Sequence, residues 1–421
     1  MSAGAGELLR RLFARALERV APAGPTQRAL AGLDLAGTIV LLATGKAAVG
    51  MAAGAEAALG DRIALRIVVG PEGSGAGIES SHPVPDQRSV AAGRAMLAAA
   101  ARARPDQEVV ALVSGGGSAL TAVPAEGLAL ADKAQAIARL MAAGAPIGDL
   151  NCVRRHLSAL KGGRLALASP ARITTLVISD VVGDALHEVA SGPTVPDPTR
   201  FADACAVVER WIGWDAVPAP ARRRLEAGRD GLEPEGLTEL RPGDRALLVL
   251  GLGALVDAAA EEAASAMPVQ VIPRRLEGPV EEVAEMLTAS LASLGPGLLV
   301  AGGEPTVTLP PNPGRGGRAQ QLALLLARIL SRRGGGDAVL VAGSDGADGN
   351  SGAAGAVVDA GTWDRIAAAG LDPDAHLASC DAATALAAAG AQVTTGPTGV
   401  NHADLVLAWR AEASRSARPA R

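Results

Sequence analysis

Residues 108–121, EVVALVSGGGSALT, constrain the fold more than any other stretch of the chain. Val109, Val110, Ala111, Leu112 and Val113 form an apolar run of the kind that fills a parallel strand covered on both faces. Gly115, Gly116 and Gly117 then remove every side chain where the backbone turns, with Ser114 and Ser118 on either side. Backbone N–H groups at the carboxyl end of such a strand, flanked by two hydroxyls, form a nest for phosphate or carboxylate oxygens. The same glycines also serve a purely structural end, letting a helix pack close to a sheet. The turn fits neither GxGxxG nor GxxxxGK followed by Ser or Thr, so neither nucleotide fingerprint applies.

Other segments repeat the pattern of a strand handing over to a helix. Residues 37–44 read as a buried strand, with Gly45 and Lys46 at its end and an Ala-rich helix over 47–59. Ligands of open α/β sheets bind at that position, where a lysine is a point charge for phosphate; a lone surface lysine is the bland alternative. His82 lies in the proline-stiffened loop 81–86 and reads equally as a ligand contact or an ordinary turn residue. Over 151–166, NCVRRHLSALKGGRLA, the spacing places Arg154 and Lys161 on one helical face. With Arg155 and Arg164 they make a positive patch in an acidic protein, suited to a small anion. Residues 173–178 form a strand that ends near Asp180 and Asp184, hard oxygen ligands suited to Mg²⁺ or, alternatively, helix-capping residues.

The Pro- and Gly-rich stretch 230–243 marks the expected domain boundary, giving domains 1–238 and 239–421. Beyond it, strands over 245–251, 269–272, 297–302 and 339–342 alternate with helices over 255–266, 279–294 and 319–330, and a further strand begins near Glu304. Strands alternating with helices imply a mainly parallel sheet in each domain, with helices on both faces. Arg318 stands at a helix N-terminus, where the dipole disfavours a cation, so an anion partner is expected. Asp345 and Asp348 lie in a GSDGADG turn that lacks EF-hand spacing and fits a Mg²⁺-phosphate site or a plain turn. Residues 410–421 read as a basic, frayed tail.

Composition excludes several function classes. The net charge of -5 offers no field for nucleic acid, and with only two Phe, four Trp and no Tyr, base stacking is a poor hypothesis. Cys152, Cys205 and Cys380 lack CxxC spacing and fit a reducing cytoplasm. Arg10, Arg11, Arg15 and Arg19 break up the N-terminal stretch, which reads as an amphipathic helix and not a signal peptide. No apolar run is long enough for a membrane span.

The motifs LVSGGGSAL, NCVRRHLSALKGGRLA, SDVVGD, ASGPTVPDPT, GGRAQQLAL, AGSDGADG and TGPTGVNHADL resemble, in both content and order, those of the class II glycerate 2-kinase family, whose members carry a MOFRL domain. The resemblance spans nearly the whole chain. It implies a Rossmann-like N-terminal α/β domain and a second α/β domain, with the active site in the cleft between them. It further implies phosphorylation of D-glycerate at its 2-hydroxyl by ATP with a divalent metal, giving 2-phosphoglycerate. Lys46 and Arg318 match the family's essential lysine and arginine. Ser114, Gly115, Gly116, Gly117 and Ser118, with Asn151, Arg154 and Lys161, are the candidate substrate and phosphate contacts. Asp180, Asp184, Glu304, Asp345 and Asp348 are the candidate Mg²⁺ ligands. One departure stands out: Ala319-Gln320-Gln321 replaces the family's usual Asn-Gln-Glu after the GGR motif. Two rival readings are an NAD(P)H-dependent hydroxypyruvate reductase, a label the family has often carried, and a non-catalytic sensor of small anions.

Overall fold

The computed structural model describes residues 2–399 and 401–412. Two compact units emerge: Pro22–Leu252 forms one, and Met1–Ala21 together with Gly253–Arg421 forms the other.

The first unit is built on a sheet of six strands: β1 (Ile39–Thr44), β2 (Ile63–Pro71), β3 (Ile78–Ser80), β4 (Glu108–Ser114), β5 (Arg172–Ile178) and β6 (Arg245–Leu250). Their spatial order is β3-β2-β1-β4-β5-β6, and every pairing is parallel. Every residue of β1 and β4 is buried. The reason is visible in their alternation: Val40, Leu42, Val109, Ala111 and Ile173 enter one core, while Ile39, Leu41, Ala43, Val110, Leu112 and Leu176 enter the core on the opposite face. The strand order reverses between β1 and β4. In doubly wound sheets the carboxyl ends of the strands at such a switch point form the ligand crevice. Lys46 follows β1 there, and the glycine turn follows β4.

The second unit carries β7 (Val269–Val271), β8 (Gly297–Gly303), β9 (Ala338–Gly343), β10 (Gly355–Asp359), β11 (Gln392–Val393) and β12 (Asp404–Arg410), in the order β11-β10-β9-β12-β8-β7. The α/β layering is as expected, but a mainly parallel sheet is not: among the described residues only the strands β7 and β8 of this sheet pair in parallel. The cause is two strands absent from the sequence reading. β12 inserts antiparallel between β8 and β9, and β10 returns antiparallel along β9. The strand expected near Glu304 is instead an irregular segment held by a bridge between Pro279 and Thr306. The helices Val280–Ser293 and Arg318–Arg333 cover one face, with Leu299, Ala301, Val339, Val341, Val358 and Val406 against them.

The domain boundary also shifts. β6 was expected to open the second domain, yet it pairs with β5 as the last strand of the first sheet. The stretch before it is no linker. Leu237 donates its N–H to the Gly162 carbonyl at 3.0 Å and accepts from the Asp197 N–H at 2.7 Å, so it is stitched to the first unit. The N-terminal helix Ser2–Val20, in contrast, packs on the helix Ala254–Ala264 and on β9. Arg10 fixes it there by donating to the Gln392 carbonyl at 2.8 Å. Among the described residues no helix is long and apolar enough to cross a membrane. The basic tail expected over 410–421 begins inside β12 at Arg410, and its residues 413–421 lie outside the described residues.

Candidate functional site

At the switch point of the first sheet, backbone contacts lock the two turns together. Lys46 donates its N–H to the Gly115 carbonyl at 2.8 Å, and Ala47 donates its N–H to the Ser114 hydroxyl at 3.1 Å. Ser114 therefore serves the turn geometry. The Lys46 side chain is exposed. Two of the glycines are sterically required. A Cβ on Gly115 would lie 1.8 Å from Asp180 Oδ2, and Gly116, at φ 82°, would bring one to 3.1 Å from Lys46 Cγ and 3.2 Å from the His82 ring. Lys46, His82 and Asp180 thus surround a turn stripped of side chains. Burial pushes the His82 pKa down and Lys46 adds to this, against the opposing pull of Asp180. Sequence reasoning left His82 undecided; its loop brings it to the turn.

The four cations of residues 154–164 do not share one duty. The helix expected to carry both Arg154 and Lys161 is Ile147–His156, which ends before Lys161. Ser158 redirects the chain: its hydroxyl donates to the Val123 carbonyl at 3.0 Å and accepts from the N–H groups of Leu160 and Lys161 at 3.2 Å. Lys161 is then fully buried, its ammonium donating to the carbonyls of Gly117 at 3.2 Å and Ala190 at 3.0 Å. It is a clamp beneath the glycine turn, inaccessible to substrate. Burial drives its pKa well below the usual lysine value, and Lys133 and Arg154 push the same way. Arg155 is 1% exposed and bonded to Glu188 at 3.1 Å and Asp197 at 3.0 Å. Arg154 is half-buried, and its one side-chain hydrogen bond runs to Asn151 Oδ1. Asn151 Oδ1 also accepts from the Ser191 hydroxyl at 3.3 Å, and Ser191 meets Ser118 Oγ at 2.8 Å. Asn151, Arg154 and Ser118 are therefore brought together, whereas Lys161 is withdrawn.

The second unit holds a cavity of about 680 Å³ lined by Thr306, Arg318, Gln321, Asp345, Asn350 and Asp404 among others. Arg318 opens the helix Arg318–Arg333 at its floor. The anion that its helix N-terminal position called for is present within the chain. Arg318 Nε donates to Asp404 Oδ2 at 2.8 Å, and Nη2 donates to Glu304 Oε1 at 2.7 Å. Burial opposes the charge on Arg318, but the bond and field of Asp404 overcome it and raise its pKa. Burial pushes the Asp404 carboxyl up to about 6, against the pull of Arg318. Asp404 was not singled out as a site residue; its signal was only that an acidic residue ends the NHAD motif before an apolar run.

The candidate metal ligands are scattered by this geometry. Asp348 is buried and spent on the helix start, accepting the N–H groups of Gly317, Ala319 and Gln320 at 3.1, 3.0 and 2.8 Å. Burial pushes its pKa up, with those donors opposing. Asp184 Oδ1 takes the Leu252 N–H at 2.9 Å and ties a loop. Glu304 is engaged by Arg318. Asp180 lies beside Gly115, and Asp345 lines the cavity wall with its Oδ1 accepting the Ala347 N–H at 3.1 Å. Among the described residues no three His, Cys, Asp or Glu side chains form a metal cage.

Comparison with known proteins converges on one family. Residues 8–226 match the model described as a domain of unknown function, DUF4147, and residues 297–404 match the MOFRL family. A protein named putative hydroxypyruvate reductase from Agrobacterium vitis is 39% identical over 95% of this chain and 93% of its own. The glycerate 2-kinase of Pyrococcus horikoshii is 36% identical over 79% of this chain and 77% of its own. The crystal structure of glycerate kinase from Thermotoga maritima matches with a TM-score of 0.89 at 32% identity, covering 97% of this chain and 100% of that one. With both domain types in order and this fold at the site, the chain belongs to the class II glycerate kinase family.

Proposed function

We propose that this chain transfers the γ-phosphoryl group of ATP to the 2-hydroxyl of D-glycerate, giving 2-phosphoglycerate and ADP. The observation that carries the reading is the switch point of the first sheet, where an exposed lysine stands over a glycine turn whose backbone has no Cβ to hold phosphate away. In the reaction the 2-oxygen forms a bond to the γ-phosphorus while the bridging oxygen leaves with ADP, and the hydroxyl proton passes to a base. Little covalent chemistry falls to the protein; positioning and charge neutralisation supply the rate. The N–H groups of residues 115–118 face the phosphate oxygens, and the Lys46 ammonium offsets the negative charge that spreads over them. Lys161 keeps the turn in that shape from beneath. Arg318, held planar between Asp404 and Glu304, presents its remaining guanidinium edge to an anion. Magnesium is ordinarily held by one or two carboxylates, with substrate phosphates and water completing the shell, a demand that Asp180 or Asp345 fits. Such an ion supplies neutralisation of the phosphate charge.

The reductase name borne by the Agrobacterium relative gives the rival reading its weight. Against it, the helix that follows the glycine turn is only the four residues Gly117–Leu120, and neither turn at the switch point carries GxGxxG. A coupled assay with D-glycerate, ATP and Mg²⁺, run beside NADH and NADPH oxidation with hydroxypyruvate, decides between them. Lys46→Ala and Arg318→Ala are expected to lower phosphoglycerate formation by about 10³-fold or more. Steady oxidation of reduced nicotinamide without phosphoryl transfer would overturn the kinase reading.

A further inference from the structure

We infer that Arg154 holds the carboxylate of the three-carbon acid, with Asn151 and Ser191 aiming it beside the glycine turn. This rests on the glycerate reading and assigns one of its two anions to one residue. The argument begins with what the neighbouring cations are doing. Arg155 is bonded to Glu188 and Asp197, Lys161 is buried on two carbonyls, and Arg164 is spent on the carbonyls of Arg155 and Lys161 at 3.2 and 3.3 Å. Arg154 and Arg164 are both partly buried, but Arg154 alone of the four has a single side-chain hydrogen bond among the described residues, so most of its guanidinium N–H groups lack a protein acceptor; burial pushes its pKa down, against the pull of Glu188.

That guanidinium is also fixed in place. Asn151 is 4% exposed and Ser191 is fully buried. The Asn151 amide is bonded at both ends, with Nδ2 donating to Glu188 and Oδ1 accepting from Arg154 and Ser191. Its orientation cannot flip without breaking three bonds. Ser191 then reaches Ser118, which stands in the first turn after the glycines. The chain of contacts from Arg154 to Ser118 joins a carboxylate-binding fork to hydroxyls at the phosphate nest. A 2-hydroxy acid carries its carboxylate and its reacting hydroxyl on adjacent carbons, and Arg154 is tied through Asn151 and Ser191 to the first residue after the glycines. Among the described residues no carboxylate is ion-paired with Arg154. Arg318, by comparison, already holds two carboxylates of its own chain.

The test uses the full-length enzyme with Arg154→Met and Arg154→Lys. The KM for D-glycerate is expected to rise about 100-fold in Arg154→Met and less in Arg154→Lys, with KM for ATP changed by less than about threefold. Calorimetric titration of D-glycerate and of hydroxypyruvate, without nucleotide, should lose affinity in parallel. An unchanged glycerate KM, or a loss falling on ATP instead, overturns the assignment. If the wild type reduces hydroxypyruvate and phosphorylates nothing, the kinase reading fails while the titration still judges Arg154. Ser118→Ala, which removes no charge, should raise the glycerate KM by about tenfold at most; a larger effect than that of Arg154→Met would move the carboxylate elsewhere.

Discussion

Replacing Lys133 by methionine should stabilise the first domain, and by an amount that depends on pH. The Lys133 ammonium is buried without a hydrogen-bond partner. Burial, followed by the fields of Arg154 and Arg164, drives its pKa from 10.5 to about 7. The interval between those values, at about 1.36 kcal/mol per pH unit, sets an upper bound of about 5 kcal/mol on the cost of keeping this amine in the fold at neutral pH. Methionine keeps the unbranched stem and removes the amine, so a gain of about 2–4 kcal/mol is expected at pH 7. The sign follows from proton counts. Between pH 7 and 10.5 the unfolded chain holds the proton and the folded chain does not, so wild-type stability rises with pH across that window and levels off above it. The variant should lose about one proton's worth of that slope, close to 1.36 kcal/mol per pH unit. Lys161 contributes a slope of the same sign, which stays in both proteins and cancels in the difference. Urea unfolding at several pH values, followed by fluorescence of Trp211 and Trp214 against the same core, measures it. Equal slopes, or a variant less stable at pH 7, would refute the argument from burial.

Two further outcomes test the site geometry. Gly115→Ala forces a Cβ to within 1.8 Å of the Asp180 carboxylate, so the turn or Asp180 must move, and kcat is expected to fall by about 100-fold while the urea midpoint changes little. Asp348→Ala removes the acceptor of three backbone N–H groups and of the Gln320 amide at 3.1 Å; a loss of about 2–4 kcal/mol in urea unfolding of the second domain is expected, and a loss below 0.5 kcal/mol would contradict the capping role.

The first sheet was legible because each central strand is a continuous apolar run ending in glycine, a pattern that only a strand covered on both faces needs. The second sheet was half-legible. β8 and β9 have that pattern, but the GAVVD of β10 is short, and the DLVLAWR of β12 follows a turn-rich loop whose polar residues carry the stronger local signal. Without those two strands the remaining alternation reads as parallel. The boundary failed for a different reason: glycine and proline mark turns equally well within a domain and between domains, and only the pairing of β6 with β5 tells them apart. Lys46, Arg318 and the glycine turn were legible as motifs. Lys161 was misread because helical spacing assumes that the helix continues, and Ser158 ends it. Asp404 was hidden because an ion pair between residues 86 positions apart leaves no local trace.

The Ala319-Gln320-Gln321 departure has a physical reading that extends to a prediction. Ala319 is fully buried and contributes its backbone N–H to Asp348, so the helix cap works without the asparagine side chain that the family resemblance implies here. Gln321 stands where the resemblance implies a glutamate, lining the cavity. Its Nε2 donates to the Leu377 carbonyl at 2.9 Å, and its Oε1 is buried without a partner. Gln321→Glu would therefore set two oxygens against each other at Leu377 and bury a charge. The first turn of a helix favours a carboxylate by about 0.3–1 kcal/mol, but losing a buried donor costs about 1–3 kcal/mol, so destabilisation wins at pH 8. At pH 5 the new carboxyl, raised by burial, regains a proton and can donate to Leu377, and the difference from wild type should shrink. Urea midpoints at the two pH values measure this. A variant as stable as wild type at pH 8 would mean that the fold still accommodates a carboxylate at this position, and would refute the argument from the Leu377 carbonyl.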